Sequence, residues 1–143
     1  MSEQDNVKTA MMFFEGLNAH DVGRGRNLQT ADYKQEAPGA AMALDAGQAE
    51  AYIQGFIDAF PDLHFDIRQT IAQGDYVVIN WMSSGTNTGS MRTPTGAMIP
   101  PTGKKGMVPG STTYMFRGGK AAYSWVHWDM ATLLMQLGLM PGM

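Results

Sequence analysis

Cysteine is absent from the 143 residues, which excludes disulfides, thiolate nucleophiles, iron–sulfur clusters and thiolate zinc sites in one step. Histidine is scarce: His20, His64 and His127 are the whole supply, and no two stand four residues apart, as a helix-borne metal site would require. Any nucleophile or base is therefore an oxygen or a ring nitrogen, and a metal site has little to build from. Charge is thin as well. Lys, Arg, Asp and Glu make up 16% of the chain, the formal net charge is -3, and the longest basic cluster is Lys104-Lys105. Such a chain has no basic field with which to hold nucleic acid or an anionic membrane surface. No apolar run approaches the roughly 20 residues that cross a bilayer, and the N-terminus has no basic stretch followed by an apolar one. The expectation is a cytoplasmic protein with a single domain over residues 1–143, long enough to bury a core without covalent staples.

What is plentiful is methionine. Thirteen are present, several of them (Met11, Met12, Met42, Met82, Met115, Met130, Met135) inside periodic segments. Thioethers fill irregular core gaps, and the same pliancy suits the lining of a site for a flat aromatic ligand. Val7, Ala10, Met11, Phe14 and Leu17 form one stripe, predicting an amphipathic helix over 5–19 with Ser2 or Asp5 as its N-cap. A Gly-rich turn follows through Arg24 and Arg26, then a short helix around Leu28 to Tyr33, and residues 34–46 read as a loop near a pocket mouth. Asp45 and Gln48 have capping-box spacing; Ala49, Tyr52, Ile53, Phe56 and Phe60 follow at helical intervals until Pro61 stops them. From Leu63 the period changes to two, and a hairpin is expected across Gly74-Asp75 with Tyr76 to Trp81 as its second strand. Ser, Thr, Gly and Pro dominate residues 83–106, where Pro94, Pro100 and Pro101 exclude a central strand. Residues 107–117 and 120–130 read as another antiparallel pair around Gly118-Gly119. Helices first, then a meander, then a short helix predict an α+β domain: a curved antiparallel sheet wrapped on helices packed against one face.

Residues 123–138 combine chemistry with a boundary. Strict alternation puts Tyr123, Trp125, His127 and Asp129 on one face and Ser124, Val126, Trp128 and Met130 on the other. Two aromatic rings, an imidazole and a carboxylate on one face make a candidate pocket wall with Asp129 at its floor. Leu133, Leu134 and Leu137 at helical spacing, with Gly138 behind them, then predict a short terminal helix with a glycine stop. An Asp immediately before such a helix is also a natural N-cap, whose backbone partners lower its pKa.

Phe60-Pro61-Asp62-Leu63, Gly74-Asp75-Tyr76-Val77-Val78, Gly85-Thr86-Asn87-Thr88-Gly89, Pro101-Thr102-Gly103-Lys104, Gly119-Lys120, Trp125 with Asp129, and Leu133-Leu134 before Gln136-Leu137-Gly138 occur in one order along the chain. As a set, over about residues 60 to 138, they resemble the SnoaL-like polyketide cyclases. The resemblance implies the cone-shaped nuclear transport factor 2-like fold shared with ketosteroid isomerase and scytalone dehydratase, and a homodimer or homotetramer. It also implies aldol-type ring closure of a polycyclic, ketone-rich small molecule with no metal or organic cofactor. Relatives include cofactor-independent polyketide hydroxylases and members with no known reaction, so a hydroxylase and a non-catalytic small-molecule binder stand beside the cyclase. At two positions where the family usually carries His, this chain has Asn87 and Glu36.

Aldol closure removes a proton beside a carbonyl and stabilises the enolate, which a carboxylate in an apolar pocket can begin. Asp129 is the family-matched acid/base, with His127 on the same face as a proton shuttle or donor. Trp125 is the expected stacking wall, and Asn87 an orienting hydrogen-bonding group. Tyr33 and Glu36 are expected at the pocket mouth, with Trp81 and Tyr114 as further ligand-binding candidates on central strands. His20 and His64 are assigned no site role.

Overall fold

The computed structural model describes residues 2–92 and 96–140. Helix α1, Glu3–Asn18, starts at Ser2, whose hydroxyl accepts from the Asp5 N–H while the Asp5 carboxylate accepts from the Ser2 N–H. Each partner satisfies an otherwise orphaned donor of the other. A turn and a single 3-10 turn, Arg26–Leu28, lead into strand β1, Gln29–Glu36. Here the structure corrects the helix expected around residues 28–33. Tyr33 and Gln35 face inward while Lys34 and Glu36 face solvent, the period of a strand and not of a helix. Strand β2, Leu44–Asp45, precedes helix α2, Ala46–Ala59, which Asp45 and Gln48 cap reciprocally as their spacing predicts. Strands β3, His64–Gln73, and β4, Tyr76–Thr86, form the expected hairpin. Short strands β5, Met91–Arg92, and β6, Met98–Ile99, pair with each other; Pro94, between them, lies outside the described residues. Strands β7, Lys105–Arg117, and β8, Lys120–Trp128, and helix α3, Met130–Gln136, complete the chain.

The main sheet runs in the order β2-β1-β8-β7-β4-β3. Its meander β3-β4-β7-β8 is antiparallel as read, but β1 lies parallel to β8, which makes the sheet mixed. A bulge between Ile67 and Gln69 changes the parity of β3. Phe65 and Ile67 therefore point toward the helices while Ile71 is left 53% exposed on the outer face. The core lies between the helices and the inner face of the sheet, with Phe14, Phe65, Val77, Ile79 and Phe116 all buried.

Two clamps fix the helices to the sheet. Asn18 donates from Nδ2 to Phe65 O and accepts from the Phe65 N–H, at 3.0 and 2.8 Å, tying the end of α1 to β3. Gln136 does the same for α3: its Oε1 accepts from the Met107 N–H and its Nε2 donates to Met107 O, both at 2.8 Å. Helix α3 ends as read. Gly138 sits at φ +73°, its N–H donates to Met135 O, and the Leu139 N–H reaches back to Leu134 O, a paired closure that a left-handed glycine permits. No described helix is long and apolar enough to cross a membrane.

Candidate functional site

Between the helices and the inner face of the sheet lies a cavity of about 160 Å³. Its walls come from every layer: Phe13 and Phe14 of α1, Tyr52 and Phe56 of α2, Leu133 of α3, and the inward residues of β1, β4, β7 and β8. Its lining is mostly aromatic and aliphatic with a few polar groups, the make-up of a small-molecule site.

The walls are aromatic and locked. Phe13 stacks on Tyr114 at 5.2 Å between ring centroids and 13° between planes. Phe65 meets Trp81 edge-on at 5.0 Å, and Phe56 meets Trp128 edge-on at 5.3 Å. Both indole N–H groups are used within the protein. Trp81 Nε1 donates to Thr112 Oγ1 at 3.1 Å, and Trp128 Nε1 donates to Tyr52 Oη at 3.3 Å. Tyr52 donates in turn to Pro38 O at 2.6 Å. Tyr33 Oη stands 2.5 Å from Ser124 Oγ, and both hydroxyls approach Gln35 Oε1. The Tyr114 hydroxyl, by contrast, makes no hydrogen bond with any described residue. Burial pushes the Tyr33 phenol up to about 12, against the opposing effect of the Ser124 hydrogen bond. Burial, aided by the neighbouring Tyr33, holds Tyr114 well above the usual phenol value. Both phenols are consequently protonated donors throughout the neutral range. The carboxylates that line the cavity are Asp21 and Glu50. Asp21 pairs with Arg24 at 3.3 Å and Glu50 with Arg26 at 2.7 Å, and both pairs are partly solvent-exposed.

Of the residues read from the sequence, Tyr33, Trp81 and Tyr114 line this cavity. The others stand elsewhere, for two reasons. The first is strand parity. On β8 the inward residues are Ser124, Val126 and Trp128, so Trp125 and His127 project from the opposite side of the sheet. Trp125 packs there against Tyr123 and Tyr76, with ring centroids 4.7 and 6.5 Å away. Glu36, one residue beyond inward Gln35, also lies outside and accepts from Tyr123 Oη at 2.7 Å. The second reason is local hydrogen bonding. Asp129 is the exposed N-cap of α3: its carboxylate accepts from the Thr132 N–H at 2.9 Å and from Thr132 Oγ1. Those bonds hold its pKa below the ordinary carboxylate value, the direction opposite to that of a buried base. Asp129 and His127 instead border a shallow open depression with Arg68, Asn80 and Ser111. Asn87 is buried, but its amide holds loops together and does not face the cavity.

A pH consequence follows for Asp129. Because its folded pKa lies below the unfolded value, it contributes stability above about pH 4, and that contribution is lost as pH falls through the folded value. Asp129→Asn keeps an N-cap acceptor. The variant is expected to flatten the acid side of the stability profile, read as denaturation midpoints between pH 3 and 7.

Sequence reading missed Gln35, Ser83, Thr112 and Glu50. Gln35 was reachable, since it alternates with Tyr33; Glu50, on the cavity side of a helix and paired to a distant arginine, left no local signal. No group of three or more His, Asp or Glu suited to a metal ion occurs among the described residues.

No protein of curated function matches the chain. Among solved structures, AclR of Streptomyces galilaeus, described as a candidate hydroxylase, superposes with a TM-score of 0.84 at 20% identity, over 98% of this chain and 89% of that one. IdmH of Streptomyces antibioticus, a candidate polyketide cyclase, gives 0.79 at 23% identity, over 93% and 98% respectively. A protein of ketosteroid isomerase-like fold from Catenulispora acidiphila DSM 44928 gives 0.74 at 16% identity, over 92% and 93%. At such identities the likeness is one of fold: helices on a curved mixed sheet. The SnoaL-like polyketide cyclase family model matches residues 8–137. That span runs from the first turns of α1 to the end of α3 and takes in every wall of the cavity, so the chain belongs to the SnoaL-like polyketide cyclase family.

Proposed function

We propose that the protein is a cofactor-free enzyme of proton transfer, closing a ring by an aldol-type step on a polycyclic, ketone-rich small molecule held in the cavity. The observation that carries this reading is the unpaired, protonated Tyr114 hydroxyl on an aromatic cavity wall. An enolate oxygen formed within reach of that phenol gains a donor already in place and already desolvated. Flat rings stack on the surrounding aromatic walls. The proton itself leaves to Glu50, the less exposed of the two carboxylates that reach the cavity and paired with Arg26. It returns to the alkoxide that forms as the new carbon–carbon bond replaces the π bond of the acceptor carbonyl.

The experiment is a linear anthraquinone methyl ester incubated with wild type, Glu50→Gln, Tyr114→Phe and Asp129→Asn. Ring closure is expected to slow 10²- to 10⁴-fold in Glu50→Gln, the usual range for a lost acid/base group. Tyr114→Phe is expected to slow it about 10²-fold, as for one lost oxyanion donor. Its stability should change little, because the hydroxyl makes no hydrogen bond within the described residues that the variant would lose. Asp129→Asn is expected to turn over at the wild-type rate. Ester binding without closure in the wild type would move the protein to the class of non-catalytic binders. A second reading, oxygen-dependent hydroxylation of the same kind of molecule, draws on a lining that holds no imidazole among the described residues and whose two carboxylates, Asp21 and Glu50, are each paired with an arginine. Oxygen uptake during turnover would select it.

Self-association, which the family resemblance implies, is proposed to use the outer face of the sheet, where Tyr76 is 49% exposed beside Trp125, Tyr123 and Ile71. Light scattering of wild type is expected to give a dimer or a pair of dimers, and of Trp125→Glu a smaller species; an unchanged mass for the variant would place the contact elsewhere.

A further inference from the structure

A proton count around Tyr33 leaves one group unspent. Tyr33 Oη and Ser124 Oγ are 2.5 Å apart, and Gln35 Oε1 lies 3.1 Å from the first and 3.3 Å from the second. The two hydroxyls bring two protons. Ser124 is 0% exposed and Tyr33 3%, so each proton needs an acceptor inside the protein. With Gln35 Oε1 toward them, both are satisfied: one hydroxyl donates across the 2.5 Å contact to the other, which donates to Gln35. With the amide turned over, the pair shares only one proton and strands the other. The oxygen is therefore committed to the hydroxyls. Gln35 Nε2, with two N–H groups, is not, and no described residue accepts from it. Gln35 is an inward residue of β1 and lines the cavity.

We propose that Gln35 is the carbonyl-recognising residue of the cavity, with Tyr33 and Ser124 as the positioning residues that keep its amide nitrogen toward the ligand. This rests on the cavity being a site for ketone-rich molecules and adds what selects them. A donor whose oxygen is already engaged cannot rotate to serve as an acceptor, so it favours ketones and quinones over hydrocarbons of the same shape. Burial keeps the Tyr33 phenol protonated, and the orientation therefore persists through neutral pH.

The test uses fluorenone and fluorene, flat tricyclic molecules that differ by one carbonyl, titrated into the full chain. Wild type is expected to bind the ketone about tenfold more tightly than the hydrocarbon, the scale of one well-placed hydrogen bond. Gln35→Glu, ionised at pH 8, still offers an oxygen to both hydroxyls but has no N–H, and is expected to abolish the preference. Ser124→Ala leaves Gln35 in place yet frees its amide to turn, so the preference falls part way; fluorene affinity reports any packing change separately. In nitrogen-15 spectra of the wild type, which need no variant, the Gln35 side-chain amide protons are expected to move downfield with fluorenone and not with fluorene. Equal affinities in the wild type, or an undiminished preference in Gln35→Glu, would overturn the role of Gln35 and leave the cavity as a ligand site. Failure of both molecules to bind the wild type would overturn the cavity reading together with it.

Discussion

Asn87→Ala is expected to destabilise the protein by about 2–4 kcal/mol, the scale of a few buried hydrogen-bonding groups left unpaired. The residue is 1% exposed, and its amide is saturated. Nδ2 donates to Ala59 O at 3.1 Å and to Gly89 O at 2.9 Å, while Oδ1 accepts from the Thr102 N–H at 2.9 Å and from Thr102 Oγ1 at 2.8 Å. Truncation leaves Gly89 O and the Thr102 N–H without these partners at the junction of α2, the end of β4 and the loop before β7, while Ala59 O keeps the Gly89 N–H at 3.1 Å. Each buried orphan costs about 1–3 kcal/mol, and Thr102, only half-buried, recovers part of its loss from water. Asn87→Asp makes the sharper comparison. It keeps the shape and the Thr102 acceptor but sets a carboxylate oxygen against two carbonyls, so it should be at least as damaging as the alanine. Chemical denaturation checks both, as a midpoint shift with unchanged slope. A loss below about 1 kcal/mol in both variants would refute the clasp. Where the family usually carries His, this chain has an amide that can fill four bonds at once.

Gly110→Ala strikes the cavity directly. A Cβ on Gly110 would lie 2.2 Å from Trp81 Cη2 and 2.4 Å from Cζ2, far inside contact distance. The ring cannot swing aside freely, because Thr112 holds its nitrogen and Phe65 packs its edge. The methyl group must displace the indole into the cavity or push β4 from β7 at the directly opposed pair Trp81–Gly110. Overpacking of this kind costs about 1–3 kcal/mol, and ligand affinity is expected to fall by more than tenfold. Trp81→Phe removes the ring atoms that clash. The double variant Gly110→Ala/Trp81→Phe should then be more stable than the sum of the two single effects predicts, a coupling that a thermodynamic cycle measures. Strict additivity would show that the steric contact is not the cause.

Periodicity made most of the fold legible. The stripes of α1 and α2, both hairpins and the Gly138 stop follow from spacing and caps alone, and the Asp45–Gln48 pair forms as its sequence requires. Strand β1 was not legible, because a strand next to the sheet edge that fully buries Tyr33 alone, with the polar Gln29, Thr30 and Gln35 half-buried, carries too few apolar residues to declare its period. The pocket face of β8 failed for the opposite reason. Aromatic residues stand on both of its faces, Trp125 outside and Trp128 inside, so alternation fixed two sets of residues without saying which was inner. Tyr33, Trp81 and Tyr114 are cavity residues because each is a buried, inward position of its strand. Asp129 offered two roles to sequence reasoning, and the Thr132 bonds take the capping one.

The Gln136 amide bonded to both main-chain groups of Met107 has a meaning beyond fastening a helix. Strand β8 ends opposite Gly110, so β7 runs on toward Lys105 with one side unaccompanied. At Met107 the side-chain amide occupies the place a neighbouring peptide group would take. An uncovered strand end is a template for addition of another chain; here a glutamine plugs it. The plug rides on α3, and α3 begins at the Asp129 cap, so fraying of that short helix would open the sheet to aggregation and take Leu133 from the cavity wall in the same step.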